Sequence, residues 1–577
     1  MQWKLEGLEI VNPNHLENAG TTNDRPTLNG GGVTILSAQM LQNSGFEQAP
    51  FRVGSGNAIN GLFDMRMRNG NSSRYERIIQ ASLLGIDLSL EGPLSSHSDA
   101  SFLFNYRYST VGLLSLMGIS FGGEQIGFQD LSYTLTFPYK KGEFKIFGMN
   151  GLSSSKFKAQ EDSTLIEFQK DLQNINYNSF TSINGVSLNH SLTNEWSMRT
   201  AFAWSMKNVS RTSARGPFAP TTLAEESDDF DQQKSSALMS FSRRFSNRLR
   251  IRFGSQFNYF ASAIYISSQD RILTDEKITD PLLQPFIGVE GTVGERFSYS
   301  VGLHATWQTR INDADLQPRL SIAQQLTDAH KLTLSYGHNS QLQPVLLQVA
   351  HPSNENLRQT RSRILTLAHD LTWRAINLRT SIFAQQYFNL ATSATTGFSS
   401  INYLNEQLSA PLDDNGQARS YGLDVTAERE VRGLYTVLSY SLYRTQYLMP
   451  DRYLDARFST GYNLALTIGK EWTLKKKDRF VSVDIRAIQR DGFREPGVAL
   501  LNEQYSYAGR LPSYFRSDLR MSFRKNKRRS SVIWALDIQN LTNAKNVAYH
   551  YFDNFTGKWE AKEQLGLIPV LSYKVMF

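Results

Sequence analysis

Apolar and polar residues alternate with a period of two from about Arg74 to the final residue, Phe577, and no other pattern competes over that distance. Ile86, Leu88 and Leu90 alternate with Asp87, Ser89 and Glu91. Phe102, Phe104, Tyr106 and Tyr108 alternate with Leu103, Asn105 and Arg107. Leu423, Val425 and Ala427 alternate with Asp424, Thr426 and Glu428, and Val481, Val483, Ile485 and Ala487 with Ser482, Asp484 and Arg486. Successive side chains of a strand point to opposite faces, so each run is a strand with one apolar and one wet face. Helical periodicity is nearly absent; one short helix is predicted at residues 163–172, within a loop.

The connections carry a second regularity. Short polar turns recur near His97, Gly142, Asn194, Asn247, Glu295, Asp328, Ala375, Gly433, Lys476 and Asn526. Between them lie two strands and a longer polar stretch, as at 208–232, 342–361 and 389–418. Short turns on one side and long loops on the other mark an outer-membrane barrel, with the turns in the periplasm and the loops outside. Ten short turns delimit eleven hairpins and predict about 22 strands, wide enough to need a plug in the lumen.

Composition agrees. Aromatic residues make up 12% of the chain although only 40% of it is hydrophobic, and mean hydropathy is -0.38. A closed barrel shows only alternate residues to lipid, which reconciles these numbers. The most apolar stretch, "VGLLSLMGISF" (residues 111–121), is too short for a membrane helix. At 577 residues the chain has the length of about four ordinary domains, yet no Pro-rich, Gly/Ser-rich or charged linker divides it. The lack of cysteine excludes disulfides, thiolate metal sites and a cysteine nucleophile. The net charge of +8 includes clusters at 243–244, 475–477 and 524–529, but these sit at hairpin tips without base-stacking aromatics, so no nucleic-acid partner is expected. The chain ends "PVLSYKVMF", with Leu571, Tyr573, Val575 and Phe577 alternating against Ser572, Lys574 and Met576. A terminal aromatic strand ending in Phe resembles the signal read by barrel-assembly machinery, which assigns that role to Tyr573, Val575 and Phe577.

Eight segments, in order, resemble the TonB-dependent outer-membrane receptors: "WKLEGLEIVNPNH", "GNAINGLFDMRMRNGN", "NYRYSTVGLL", "YGHNSQLQP", "RSYGLDV", "GKEW", "LPSYFRSDLR" and "LDIQNLTNAKN". The resemblance implies an all-β fold, a transmembrane barrel over residues 73–577, and the C-terminal half of a plug over 1–72. It places Asn12, Asn14, His15, Gly56, Asn57, Gly61 and Asp64 in plug motifs. It implies import of scarce bulky solutes such as metal chelates, cofactors or glycans, with the TonB complex supplying energy to the full-length protein, outer-membrane lipid around the barrel and a surface lipoprotein as a further partner. By the same resemblance the signal peptide, TonB box and first plug strands have no counterpart, and Met1 precedes neither a charged nor an apolar leader segment. The expectation is an N-terminally truncated receptor that is not energisable as written. A passive pore and a surface-binding, adhesin-like barrel are the alternatives.

One motif departs from the family. Where Phe-Pro-Ala-Glu-Tyr-Gly-Asn is common, this chain reads Phe51-Arg52-Val53-Gly54-Ser55-Gly56-Asn57, so an acidic residue that pairs with barrel arginines is missing.

The remaining features point to no chemistry. "GSGNAING" (54–61) lacks the G-x-G-x-x-G spacing and the βαβ context of a nucleotide loop. "EESDDFD" (225–231) lies in a predicted outer loop and lacks the ligand spacing of a calcium loop, so it reads as a solvated acidic loop. Nine histidines include no pair at i, i+4 and no H-E-x-x-H. Neither a catalytic site nor a cofactor or metal is expected. The apolar stretch at 111–123 reads as loop packing, and Asn540, Asn543 and Asn546 as turn caps.

Overall fold

The computed structural model describes residues 2–15, 31–83, 85–109, 125–393, 395–404, 408–450, 452–475, 478–495 and 507–577. The apolar stretch at 111–123 and Lys476 lie outside these residues.

The alternating runs form a closed barrel of 22 antiparallel strands, with two short rim strands, Phe398–Ser399 and Tyr453–Asp455, added to it. Closure satisfies every strand edge, as a lipid environment requires. The first barrel strand, Glu76–Ser82, pairs with the last, Ile568–Met576, in the register Ile78↔Met576 to Ser82↔Ser572. The backbone of Phe577 completes the seam by exchanging hydrogen bonds of 2.8 and 3.0 Å with Arg77. Ile86, Leu88 and Leu90 face outward, while Ser89 and Glu91 are buried on the lumen side. An outward aromatic run, Phe523–Trp534–Tyr573, has ring centroids 5.6 and 5.4 Å apart, as in the girdles at a membrane interface.

The nine short turns that fall within the described residues join consecutive strands at one end, the tenth, at Lys476, lying outside those residues. The other end differs from expectation in three hairpins. The turns between Ser82 and Gly85, Ser268 and Arg271, and Gln308 and Asp313 are also tight. In the second, Gln269 and Asp270 are both left-handed (φ 50° and 59°), the geometry of a two-residue hairpin turn. The long loop expected at 208–232 shrinks to residues 216–225, because the strands Trp196–Arg215 and Glu226–Ser246 run through it. Strands here reach 23 residues in Arg271–Val293, against about 10 needed to cross a membrane. Beyond the membrane their outward face meets water, and their inner face mixes buried apolar and charged groups such as Phe230 and Asp228, so hydropathy stops alternating although the backbone does not. The short helix expected at 163–172 is two 3-10 turns, Ser163–Leu165 and Gln169–Leu172.

Among the described residues, six short strands lie inside the barrel: β1 (Gln2–Leu5), β2 (Leu8–Glu9), β3 (Asn14–His15), β4 (Val33–Thr34), β5 (Leu41–Gln48) and β6 (Gly61–Met67). Four of them form a mixed sheet in the order β2-β1-β6-β5, with β1 parallel to β6. This plug shares its core with the wall. Leu5, Leu8, Ile10, Val11, Ile35, Met40 and Met67 pack against Leu103, Phe147, Met149, Ile183, Ala201 and Ala203. Each such aliphatic side chain contributes about 2 kcal/mol on burial. Gly151 admits the plug to contact: a Cβ there would lie 2.7 Å from both His15 and Ile35.

Candidate functional site

The plug meets the wall through a polar seam. Glu6 accepts the Met67 N–H at 2.9 Å and faces Arg199 (3.4 Å), Arg66 (3.6 Å) and Lys145 (3.6 Å). Lys145 Nζ donates to Met67 O, and Arg199 Nη2 to Glu6 O. Glu9 is fully buried and accepts from Gln2 (2.6 Å), Asn57 (3.0 Å) and Gln284 (3.2 Å). Lys207 Nζ donates to Asn12 O and Asn14 O at 3.0 and 2.7 Å. Burial pushes the Lys4 ammonium below its usual range, against the pull of Glu9.

His15 stacks on Phe128 (4.9 Å) and donates from Nε2 to Asp130 at 3.1 Å. Arg107 holds the same carboxylate and reaches Thr34 O. Burial lowers the His15 pKa, and this outweighs the opposing effect of Asp130, so the ring is held neutral.

The altered motif at 51–57 shows how the wall answers a missing carboxylate. Arg319 donates to the carbonyls of Arg52 and Ser55 at 2.5 Å, and His304 Nδ1 to Val53 O at 2.9 Å. Among the described residues Arg319 has no ion-pair partner; backbone oxygens take that place. Gly56 is required by closeness, since a Cβ would lie 2.2 Å from Gln284 Oε1 and 2.3 Å from His304 Nε2. Asn57 is left-handed (φ 52°) and accepts the Leu342 N–H at 2.9 Å, tying the plug to the loop after Gln341. Gly61 opens β6 beneath the Phe46 ring. Asp64 stays within the plug, on Gly7 N and Arg66. Asn12 and Asn57 meet at a cavity of about 150 Å³, beside Trp3, Lys234 and Gln343. The other motif residues do not line this cavity.

The outer mouth holds residues that sequence reasoning missed. The turn Val345–Gln348 folds into the lumen, where Val345, Leu346 and Val349 cover Tyr177, Phe230 and Ile264. Ile59, at the plug apex, packs beside Tyr387, Tyr447 and Tyr507, and Tyr387 Oη donates to Asn60 at 2.8 Å. The tyrosines fall in alternating strands and loops like many others, and only closure of the barrel brings them together.

The acidic stretch at 225–231 is not a solvated loop. Glu226 opens a strand, and Arg211 sits between Glu226 (2.9 Å) and Asp228 (3.2 Å), the latter 1% exposed. Among the described residues, no group of three or more His, Asp or Glu is placed to hold a metal. Asn540 caps a turn through Ala544 and Leu565, Asn543 accepts from Leu567, and Asn546 bonds Phe515 on both sides.

Residues 150–541 match the family model described as TonB dependent receptor-like, beta-barrel. The chain belongs to the TonB-dependent receptor family. No match was found among curated proteins. Among solved structures, the receptor is similar to the ferric yersiniabactin uptake receptor FyuA from Yersinia pestis (12% identity, TM-score 0.70, covering 100% of this chain and 88% of that one). It is similar also to the pyoverdine outer membrane receptor FpvA from Pseudomonas aeruginosa PAO1 (10%, 0.72, 100% and 87%) and to BauA, the ferric preacinetobactin receptor from Acinetobacter baumannii (10%, 0.70, 100% and 88%). At these identities the likeness is one of fold.

Among the described residues, plug contacts in this receptor are eccentric. Their hydrogen bonds reach the wall from Glu91 round to Tyr387. On the opposite arc, the inward pairs Arg516–Asp518, Arg520–Asp537 and Arg524–Glu471 remain open to the lumen, with Arg520 50% and Asp537 27% exposed.

Proposed function

We propose that the full-length receptor takes up a scarce, bulky solute across the outer membrane, a metal chelate, cofactor or glycan, with TonB driving rearrangement of the plug. The observation that carries this reading is the polar seam. The plug is anchored by buried hydrogen bonds and ion pairs that re-form with water on displacement, below a mouth lined by plug apex, tyrosines and loops. Buried pairs add specificity of seating more than net stability. Tyr573, Val575 and Phe577, on the outward face of the closing strand, serve the assembly machinery in this reading. Ferric chelates are the first class to test, being what the names of the similar structures specify.

The test is accumulation of radiolabelled ferric chelates by cells of the native host, with the gene intact, deleted and restored. Uptake that is lost on deletion, regained on restoration and abolished by collapsing the inner-membrane proton gradient supports the reading. Uptake unchanged by deletion across chelates, cobalamin and oligosaccharides overturns it. The exposed arc at Arg516–Asp537 favours a second reading, passive conduction past the plug. A planar-bilayer recording separates the two: steady large conductance supports the pore, and silence supports an occluded receptor.

A further inference from the structure

The periplasmic end of the lumen carries a charged cluster that the seam and the mouth do not use. Arg244, Arg250 and Arg252 stand at lumen-facing positions of adjacent strands, in the registers Arg244↔Arg250 and Ser242↔Arg252. Their face is that of Leu238, which packs on the plug core. The alternate residues Ile251 and Phe253 point to lipid. Arg248 lies in the turn between the same strands, and Lys331 opens the inner face of His330–Gln341. Arg244, Arg248, Arg250 and Lys331 line a cavity of about 430 Å³ with one carboxylate, Glu290, and a ring of serine and threonine hydroxyls. Arg252 lines the adjoining cavity of about 690 Å³, between plug and wall.

A solvated rim would scatter its charges over both faces and pair them. Several other inward arginines of this lumen have carboxylates: Arg199 has Glu6, Arg361 has Asp313 and Arg520 has Asp537, while Arg319 has plug backbone carbonyls in their place. Among the described residues none of the five exit cations has one within ion-pair distance. Cations of one sign gathered on a concave wall repel one another, and a multivalent anion relieves that repulsion while accepting forked hydrogen bonds from the guanidinium groups.

We propose that this exit is a binding site for small multivalent oxyanions, bearing phosphate or carboxylate groups. It acts as a last resting place on the way out of the lumen, or as a seat for a periplasmic anion that biases the plug. The assignment rests on the preceding reading only for which end of the barrel is periplasmic. Inorganic pyrophosphate is the probe, titrated calorimetrically into the purified protein in zwitterionic nanodiscs at low ionic strength. Saturable binding is expected, weakened about tenfold or more by Arg248→Gln/Arg250→Gln/Lys331→Gln and unchanged by Arg271→Gln/Lys277→Gln at the outer end of neighbouring strands. Glu290→Gln, which removes the one carboxylate, tightens binding, and this opposite sign protects the test should the triple variant fail to fold. Absence of saturable binding, or equal affinity in the triple and the native protein, overturns the site. Repeating the titration in phosphatidylglycerol nanodiscs distinguishes the source: unchanged affinity means a free anion, and competition means a lipid headgroup reaching the same cations. None of these readouts requires uptake, so failure of the import reading and failure of this one are separate results.

Discussion

Single residues decide how the plug is seated, and they differ in how visible they were. Asn12, Asn14, His15, Gly56 and Asn57 fall on the seam, where motif reading put them in the plug without saying what each touches. Arg319 was invisible, because its partners are backbone carbonyls that any sequence supplies. Gly56→Ala forces a Cβ into Gln284 and His304 and should loosen the 51–57 loop by about 1–3 kcal/mol. Limited proteolysis should then cut this loop faster in the variant than in the native protein; equal rates would contradict the fit. His15 gives a pH dependence. Its folded pKa lies below the ordinary 6.5, so the unfolded plug takes up the proton first. Seating is therefore at full strength above about pH 6.5 and weakens as pH falls below it. Relative to the intrinsic exchange rate at each pH, amide protection of residues 10–15 and 33–40 should fall on acidification in the native protein and stay constant in His15→Gln.

At the scale of elements, strands were legible wherever one face meets lipid, since alternation is the imprint of that asymmetry. They were illegible where strands rise into water. Residues 208–215 and 226–232 show the failure: Asn208, Ser210, Asp229 and Asp231 on one face and Arg211 and Asp228 on the other make both faces polar. Strand pairing persists there because cross-strand ion pairs replace the apolar signal. Arg211→Gln takes the guanidinium from a carboxylate that is almost wholly buried, at a cost of about 3 kcal/mol. The expected result is loss of amide protection confined to the outer ends of Trp196–Arg215 and Glu226–Ser246. Uniform protection, or loss reaching the girdle, would show that Arg211 does not hold the hairpin. Turn lengths at the outer end were misjudged for the same reason, because polar composition marks water, not loop.

For the whole molecule, the barrel and its strand number follow from alternation and from counting one set of turns, whereas the eccentric plug does not. Nothing local distinguishes the arc that touches the plug from the arc that stays open; both carry inward polar side chains, and only three-dimensional closure assigns them. The seating also concentrates charge. Among the described residues Glu6 is the one carboxylate shared by Arg66, Lys145 and Arg199. Glu6→Gln leaves three cations facing a neutral amide, so the plug should release under milder conditions while the barrel, held by its closed backbone ladder, is unaffected. In planar bilayers with urea added on the periplasmic side, the variant should show its large conductance at a lower urea concentration than the native protein. The heat-induced mobility shift of the folded barrel on gels should be the same for both. If the two proteins open at the same urea concentration, the plug is held by its apolar core on Leu103, Phe147 and Ile183 and not by the ionic seam, and pulling would have to extract the core as a unit.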